Sequence, residues 1–218
     1  MFNTPEAFTL IAGLSMLSLV PFIAVMATSF VKLTVVFALI RNALGVQQIP
    51  PNMALHGLAL ILTVFIMAPT GYQCYQIAMD IHVDWSKSSE AITGVEQVME
   101  PYRQFLLQKV NLEEVAFFAD TAQKLWPADQ QEIMSEDSFL ILIPAYTVGE
   151  LTAAFQAGFL LYLPFIAIDL IVSNILLAMG MMMVSPMTIS LPFKLLLFVL
   201  LDGWTRLTHG IVLSYYTG

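Results

Sequence analysis

Residues 163–204 read LPFIAIDLIVSNILLAMGMMMVSPMTISLPFKLLLFVLLDGW, and their only charges are Asp169, Lys194 and Asp202. An apolar run this long exceeds the ~20 residues that cross a bilayer as helix. Pro164, Pro186 and Pro192 interrupt it, and Met181, Met182 and Met183 stand in a row. The stretch therefore reads as a shaped helical wall or bundle, in which every backbone polar group is satisfied within the protein.

The rest of the chain agrees with that class. Its 218 residues are 58% hydrophobic and 11% charged, with a mean hydropathy of +0.79, which is a membrane-protein composition. Between Asp80 and Glu150 stand 13 acidic and 4 basic residues, so 3 of the 16 acids and 4 of the 8 bases lie elsewhere. The acidity is one middle segment, and nothing clusters Lys and Arg as phosphate binding requires. Cys74 is the only cysteine; no intrachain disulfide or thiolate metal site can form, and the residue reads as a small buried apolar group. The N-terminus, MFNTPEAFTL, has no basic region before its apolar stretch, so no cleaved signal peptide is expected.

Four apolar blocks organise the chain. Residues 10–40 contain Pro21, where a bend is expected, and Lys32. Residues 54–72 form a second block, ending near Pro69 and Gly71, after the connector RNALGVQQIPPNM (41–53), which its two prolines make a turn. The third, residues 139–184, is too long for one span and reads as an amphipathic lead-in to about Gly158 followed by a span. The fourth covers residues 187–216. Between them, Val95, Val98, Met99, Tyr102, Phe105 and Leu106, then Leu112, Val115, Ala116 and Ala119, recur at helical spacing. The expected fold is all-α: membrane-type helical hairpins with proline-broken helices in residues 1–78 and 139–218, and a small acidic helical extracytoplasmic domain in residues 79–138. Trp126-Pro127 ends a helix there, and Asp137 or Ser138 caps the next. Arg41 and Lys194, beside the two short connectors, place those connectors in the cytoplasm. VPFIAV (20–25) echoes LPFIAI (163–168), a repeat of six apolar residues that chance also supplies.

Lys32 and Asp169 are the charges deepest in apolar sequence, where an isolated charge costs ~2.5–3.5 kcal/mol. Each needs a partner or a polar cavity, either as an ion or proton relay or as a structural pair. Glu150 lies in PAYTVGELTAAFQAGF and reads equally as a gating group or as a carboxylate on a helix surface at the membrane edge. His56, His82 and His209 have no metal-binding spacing, and no catalytic or nucleotide motif occurs, so no enzyme, cofactor or metal site is expected. Three adjacent methionines point about 100° apart on a helix and cannot all pack one core. Between Gly180 and Pro186, however, they could line a constriction if the segment is a loop.

SFVKLTVVFALIRNALGVQQIPPNMALHG from Ser29, PAYTVGELTAAFQAGF from Pro144 and the run from Leu163 make nearly the whole chain resemble the FliP/SctR family of type III secretion export gates. SFVK, RNALGVQQIPPNM and DGWTRLTHG are most similar to its virulence injectisome, YscR-like branch, while Gly149 and Asn174 depart from the family pattern. The resemblance implies a homo-pentamer in a closed helical cone with SctS/FliQ-like and SctT/FliR-like small export proteins. It also implies an SctU/FlhB-like switch protein, and unfolded substrates passing along the axis. Met181, Met182 and Met183 would be the pore gasket and Gly180 and Pro186 its brackets, in a bacterial inner-membrane assembly held largely on the periplasmic side. A stand-alone secondary transporter or ion channel using Lys32 and Asp169 is the competing class.

Overall fold

The computed structural model describes Ser18 and residues 25–46, 48–81, 88–127 and 135–216. Pro21 and residues 20–24 of the sequence echo lie outside that set, as does His82. Seven helices are described and no strand occurs among the described residues: α1 (Phe30–Leu44), α2 (Asn52–Asp80), α3 (Ser88–Lys109), α4 (Leu112–Leu125), α5 (Phe139–Ala178), α6 (Pro186–Leu200) and α7 (Gly203–Tyr216). The fold is all-α, as the composition required.

α1 is the hub. Leu33, Val36, Phe37, Ile40, Ala43 and Leu44 repeat at three and four residues, and all are buried. They join Leu55 and Ala59 of α2, Ala154 and Phe165 of α5, Phe198 of α6 and Leu207 and Ile211 of α7 in one core. α1 and α5 approach closely at Gly158, where a Cβ would fall 2.2 Å from Cδ1 and 3.1 Å from Cβ of Leu39. Only glycine fits there.

α1 ends at Gly45, whose φ of 78° is left-handed, and its N–H bonds Asn42 O at 3.0 Å. After the cis Ile49-Pro50 bond, α2 begins behind Pro51, with the Arg41 guanidinium donating to the side-chain Oδ1 of Asn52. α2 then continues through Pro69 to Asp80, past the end expected near Gly71. A proline deletes one ladder bond and strains one turn, and in apolar surroundings little water competes for the freed carbonyl.

The third block is corrected as well, since neither its length nor its prolines divide it. Instead of a lead-in and a separate span, α5 is one 40-residue helix through Pro144 and Pro164, about 60 Å long at 1.5 Å per residue. That is about twice the ~30 Å hydrocarbon thickness. Its first three turns leave the main core to meet the middle segment: Ile141, Leu142, Ala145 and Tyr146 pack with Leu106 of α3 and Val115 and Ala119 of α4. Tyr102 is stacked between Phe105 and Phe139 and donates to Ala27 O at 2.6 Å, and burial pushes its phenol above the usual range. α4 starts where Asn111 accepts from Glu113 N–H at 2.9 Å, and stops at Trp126 before Pro127. Ser138 holds the N-cap position of α5 without a side-chain bond.

α2 and α5 are long and apolar enough to cross a membrane, and α6 with α7 makes a third candidate broken by a 59° bend. The bend turns at Asp202, φ 51°, and Gly203, where a Cβ would lie 2.3 Å from the Phe198 ring. Trp204 meets Phe198 and Phe37 edge-on at 5.5 and 6.1 Å.

Candidate functional site

The segment between α5 and α6 is a loop, built by its flanks. Gly180, φ 71°, stands just past the end of α5; its N–H bonds Leu177 O at 3.0 Å and the next N–H, of Met181, reaches back to Leu176 O at 2.9 Å. This paired arrangement satisfies the last carbonyls of α5 and requires a residue at positive φ. Ser185 is the extended N-cap of α6 and Pro186 its first residue, where a missing N–H costs nothing. Gly180 and Pro186 thus fix both ends of a short tip.

The three methionines occupy that tip. Met181 is 40% exposed, Met182 81% and Met183 100%. Behind them, Ile168, Ile171, Ile175, Ile189 and Phe193 line an apolar groove of about 410 Å³ between α5 and α6. The arms of the hairpin are therefore apolar on faces that nothing among the described residues covers. Unbranched, polarizable thioethers at such a tip can adapt to whatever surface they meet.

The charges expected in apolar sequence form two separate clusters. Asp169 faces α6: its Oδ2 accepts from Lys194 Nζ at 2.6 Å and its Oδ1 from the Ser190 hydroxyl at 2.6 Å. Lys194 Nζ also donates to Ala43 O at 3.1 Å, placing a cation on the last turn of α1, where the helix dipole favours it. Lys32 instead lies 3.4 Å from Glu150 Oε1 and 4.7 Å from the centre of the Tyr215 ring, and Tyr215 donates its hydroxyl to Glu150 Oε2. Lys32 and Asp169 thus do not pair, because each has a nearer opposite charge. Glu150 is buried rather than at a helix surface, since α1 and α7 close over it. A polar cavity of about 340 Å³, lined among others by Lys109, Glu114, Thr152 and Gln156, opens beside this cluster.

Two of these partners escaped the sequence reading. Lys194 had a signal: a lone lysine in the same apolar run as a lone aspartate must find an anion. Placed beside a connector, it served as a marker of orientation, yet it is 2% exposed inside α6 and does not act as a loop charge. Tyr215 had none, for a tyrosine at the end of an apolar block is common at membrane edges. Neither cluster gathers a nucleophile with a base, and their chemistry is that of buried, compensated charge.

Comparison with known proteins fixes the lineage. The chain is 59% identical over 217 residues, 99% of each sequence, to the Yop proteins translocation protein R of Yersinia pestis. It is 50% identical over 210 residues, 94% of this chain and 95% of the relative, to the virulence protein YscR of Salmonella typhimurium. With the hypersensitivity response secretion protein HrcR of Ralstonia nicotianae it shares 46% over 217 residues, 96% and 98% of the two chains. The FliP family model matches residues 13–211, which include α1 to α6, the methionine tip and both charge clusters as far as Ile211, and the chain belongs to the FliP family.

Proposed function

We propose that this protein is a membrane subunit of a type III secretion export apparatus, and that its methionine tip closes a pore through which unfolded proteins cross the bacterial inner membrane. The observation that carries the reading is the exposure of Met181, Met182 and Met183 on an apolar hairpin whose flanks are rigidly capped. A ring of identical subunits, five by family resemblance, would bury the hairpin faces and bring the tips together. The apolar sulfur ring would exclude hydrated ions, and its soft side chains would conform to a passing chain. SctS/FliQ-like and SctT/FliR-like subunits would complete the cone, with an SctU/FlhB-like switch protein beside it. In this reading residues 79–138 form an extracytoplasmic part, and the assembled cone lies largely on the periplasmic side.

No chemistry is assigned to this subunit. Glu150 and Lys32 would hold the ring-forming helices in register, and Asp169 would anchor the hairpin that carries the tip. A stand-alone transporter coupled through Lys32 and Asp169 is disfavoured, because each is already compensated by a different partner.

Replacing Met181, Met182 and Met183 together with alanine, followed by conductance of the co-purified complex in planar bilayers, tests the gasket. Intact assembly with raised ion leak is the expected result; unchanged leak in an assembled complex overturns it. Native mass spectrometry of the protein expressed with its neighbouring export subunits tests the ring, and a monomer that captures none of them would overturn the assembly.

A further inference from the structure

The last helix is fastened at its two ends and lightly held between them. Among the residues of α7 only Leu207 and Ile211 are buried. At its near end the chain turns 59° at Asp202, a non-glycine residue at φ 51°, a conformation most side chains avoid. The helical ladder is not continuous there: Asp202 N–H reaches Val199 O at 3.1 Å, and α7 starts afresh with Arg206 N–H on Asp202 O at 3.0 Å. At its far end Tyr215 donates to Glu150 and carries Lys32 over its ring. The cavity of about 340 Å³ reaches that fastening, lined by Ser214 and Tyr215 themselves as well as by Lys32 and Glu150.

We propose that α7 is a hinged strap, pivoting at Asp202–Gly203 and clasped to the core by the Tyr215–Glu150–Lys32 cluster. The break in the ladder lets α7 move as an intact helix. The cavity gives the clasp room and polar neighbours when it opens, so Glu150 and Lys32 keep each other while Tyr215 leaves. Opening uncovers Leu207 and Ile211 and the part of the core they join beside α2 and α6, without disturbing the remainder of the core.

Thiol labelling in detergent of the full chain carrying Cys74→Ser tests this. Ile211→Cys reports the strap and Ala43→Cys, buried in α1, reports the core. In the otherwise native chain Ile211→Cys should label faster than Ala43→Cys; equal rates overturn the strap. Adding Tyr215→Phe removes one charge-assisted hydrogen bond and should raise Ile211→Cys labelling about tenfold or more, with Ala43→Cys unchanged. Backbone hydrogen exchange in α7 should stay the same, because a swinging helix keeps its ladder. No acceleration at Ile211→Cys, a matching rise at Ala43→Cys, or loss of α7 amide protection would each overturn the proposal.

Discussion

Lys194 and Asp169 are bonded at 2.6 Å, yet they are unequally buried: the lysine side chain is 3% exposed and the aspartate 39%. The pair therefore has an enclosed partner and one that is open on its outer side. Removing the acid leaves a cation enclosed with, among the described residues, Ala43 O and no counter-charge, whereas removing the base leaves an anion that Ser190 still bonds and that is not enclosed. Breaking a buried pair from the sheltered side costs roughly 3–5 kcal/mol, and an apolar replacement of both partners is often near neutral. Asp169→Asn should thus lower thermal stability in detergent more than Lys194→Met, and the double variant should recover most of the loss. Equal single effects, or an additive double, would contradict the asymmetry.

Gly158 sets the distance between α1 and α5. A methyl group there would meet Leu39 at its Cβ as well as at its mobile end, so rotation of Leu39 alone cannot make room. Overpacking of this kind costs about 1–3 kcal/mol. Gly158→Ala should destabilise accordingly, and adding Leu39→Ala should restore part of the loss. Thermal unfolding of the two variants side by side measures it.

The bend before α7 makes a similar demand. Gly203→Ala would drive a Cβ into the Phe198 ring, which is itself wedged against Trp204 and Phe165. A displaced ring should alter the near-ultraviolet dichroism and fluorescence of Trp204 while far-ultraviolet helicity stays constant. A silent tryptophan would mean that the bend relaxes elsewhere.

Tyr102 carries a pH dependence whose sign follows from burial. Its phenol is pushed up in the folded protein, so the native state keeps a proton that the unfolded chain releases near pH 10. The contribution is fully present below that pH and is lost as pH rises above it. The wild type should lose stability above about pH 10 more steeply than Tyr102→Phe. At neutral pH Tyr102→Phe should be less stable by about 1 kcal/mol, because Ala27 O loses its donor. Parallel pH curves for the two proteins would assign the alkaline loss to other groups.

Much of this fold follows from local pattern. The all-helical class came from the apolar runs and the tip from Gly180 and Pro186; the spacing of Leu33, Val36, Phe37 and Ile40 also carries the buried face of α1, but the continuous apolar run around them hid it. The middle helices were legible in part: Leu106, Val115 and Ala119 are buried as their spacing suggested, but Val95 and Leu112 of the same pattern are exposed. Pro69 misled, because propensities learned in water overstate the penalty for chain buried in protein or lipid, and the third block misled by its length, which suggested two segments where α5 is one helix. Charge pairing was legible as a need and not as a match. Lys32 and Glu150 are 118 positions apart, and only the packing of α1 across α5 decides that this acid, and not Asp169, is the nearer one.

Gly180 offers a way to disturb the tip without touching a methionine. Its φ of 71° lies where a Cβ is crowded by its own backbone, although no neighbouring atom lies within 4 Å of the added carbon. The cost of Gly180→Ala is therefore conformational alone, about 1 kcal/mol, too little to unfold helices that bury this much surface. The strain is relieved most simply by giving up the bonds from Gly180 to Leu177 and from Met181 to Leu176, which fray the end of α5 and free the tip. Hydrogen exchange should accelerate at residues 176–184 and stay constant in α1, and overall thermal stability should fall only slightly. If a rigid tip is what seals the pore, the same variant in an assembled complex should leak ions with all three methionines still present. A tight pore despite the loosened tip would assign the seal to sulfur chemistry alone.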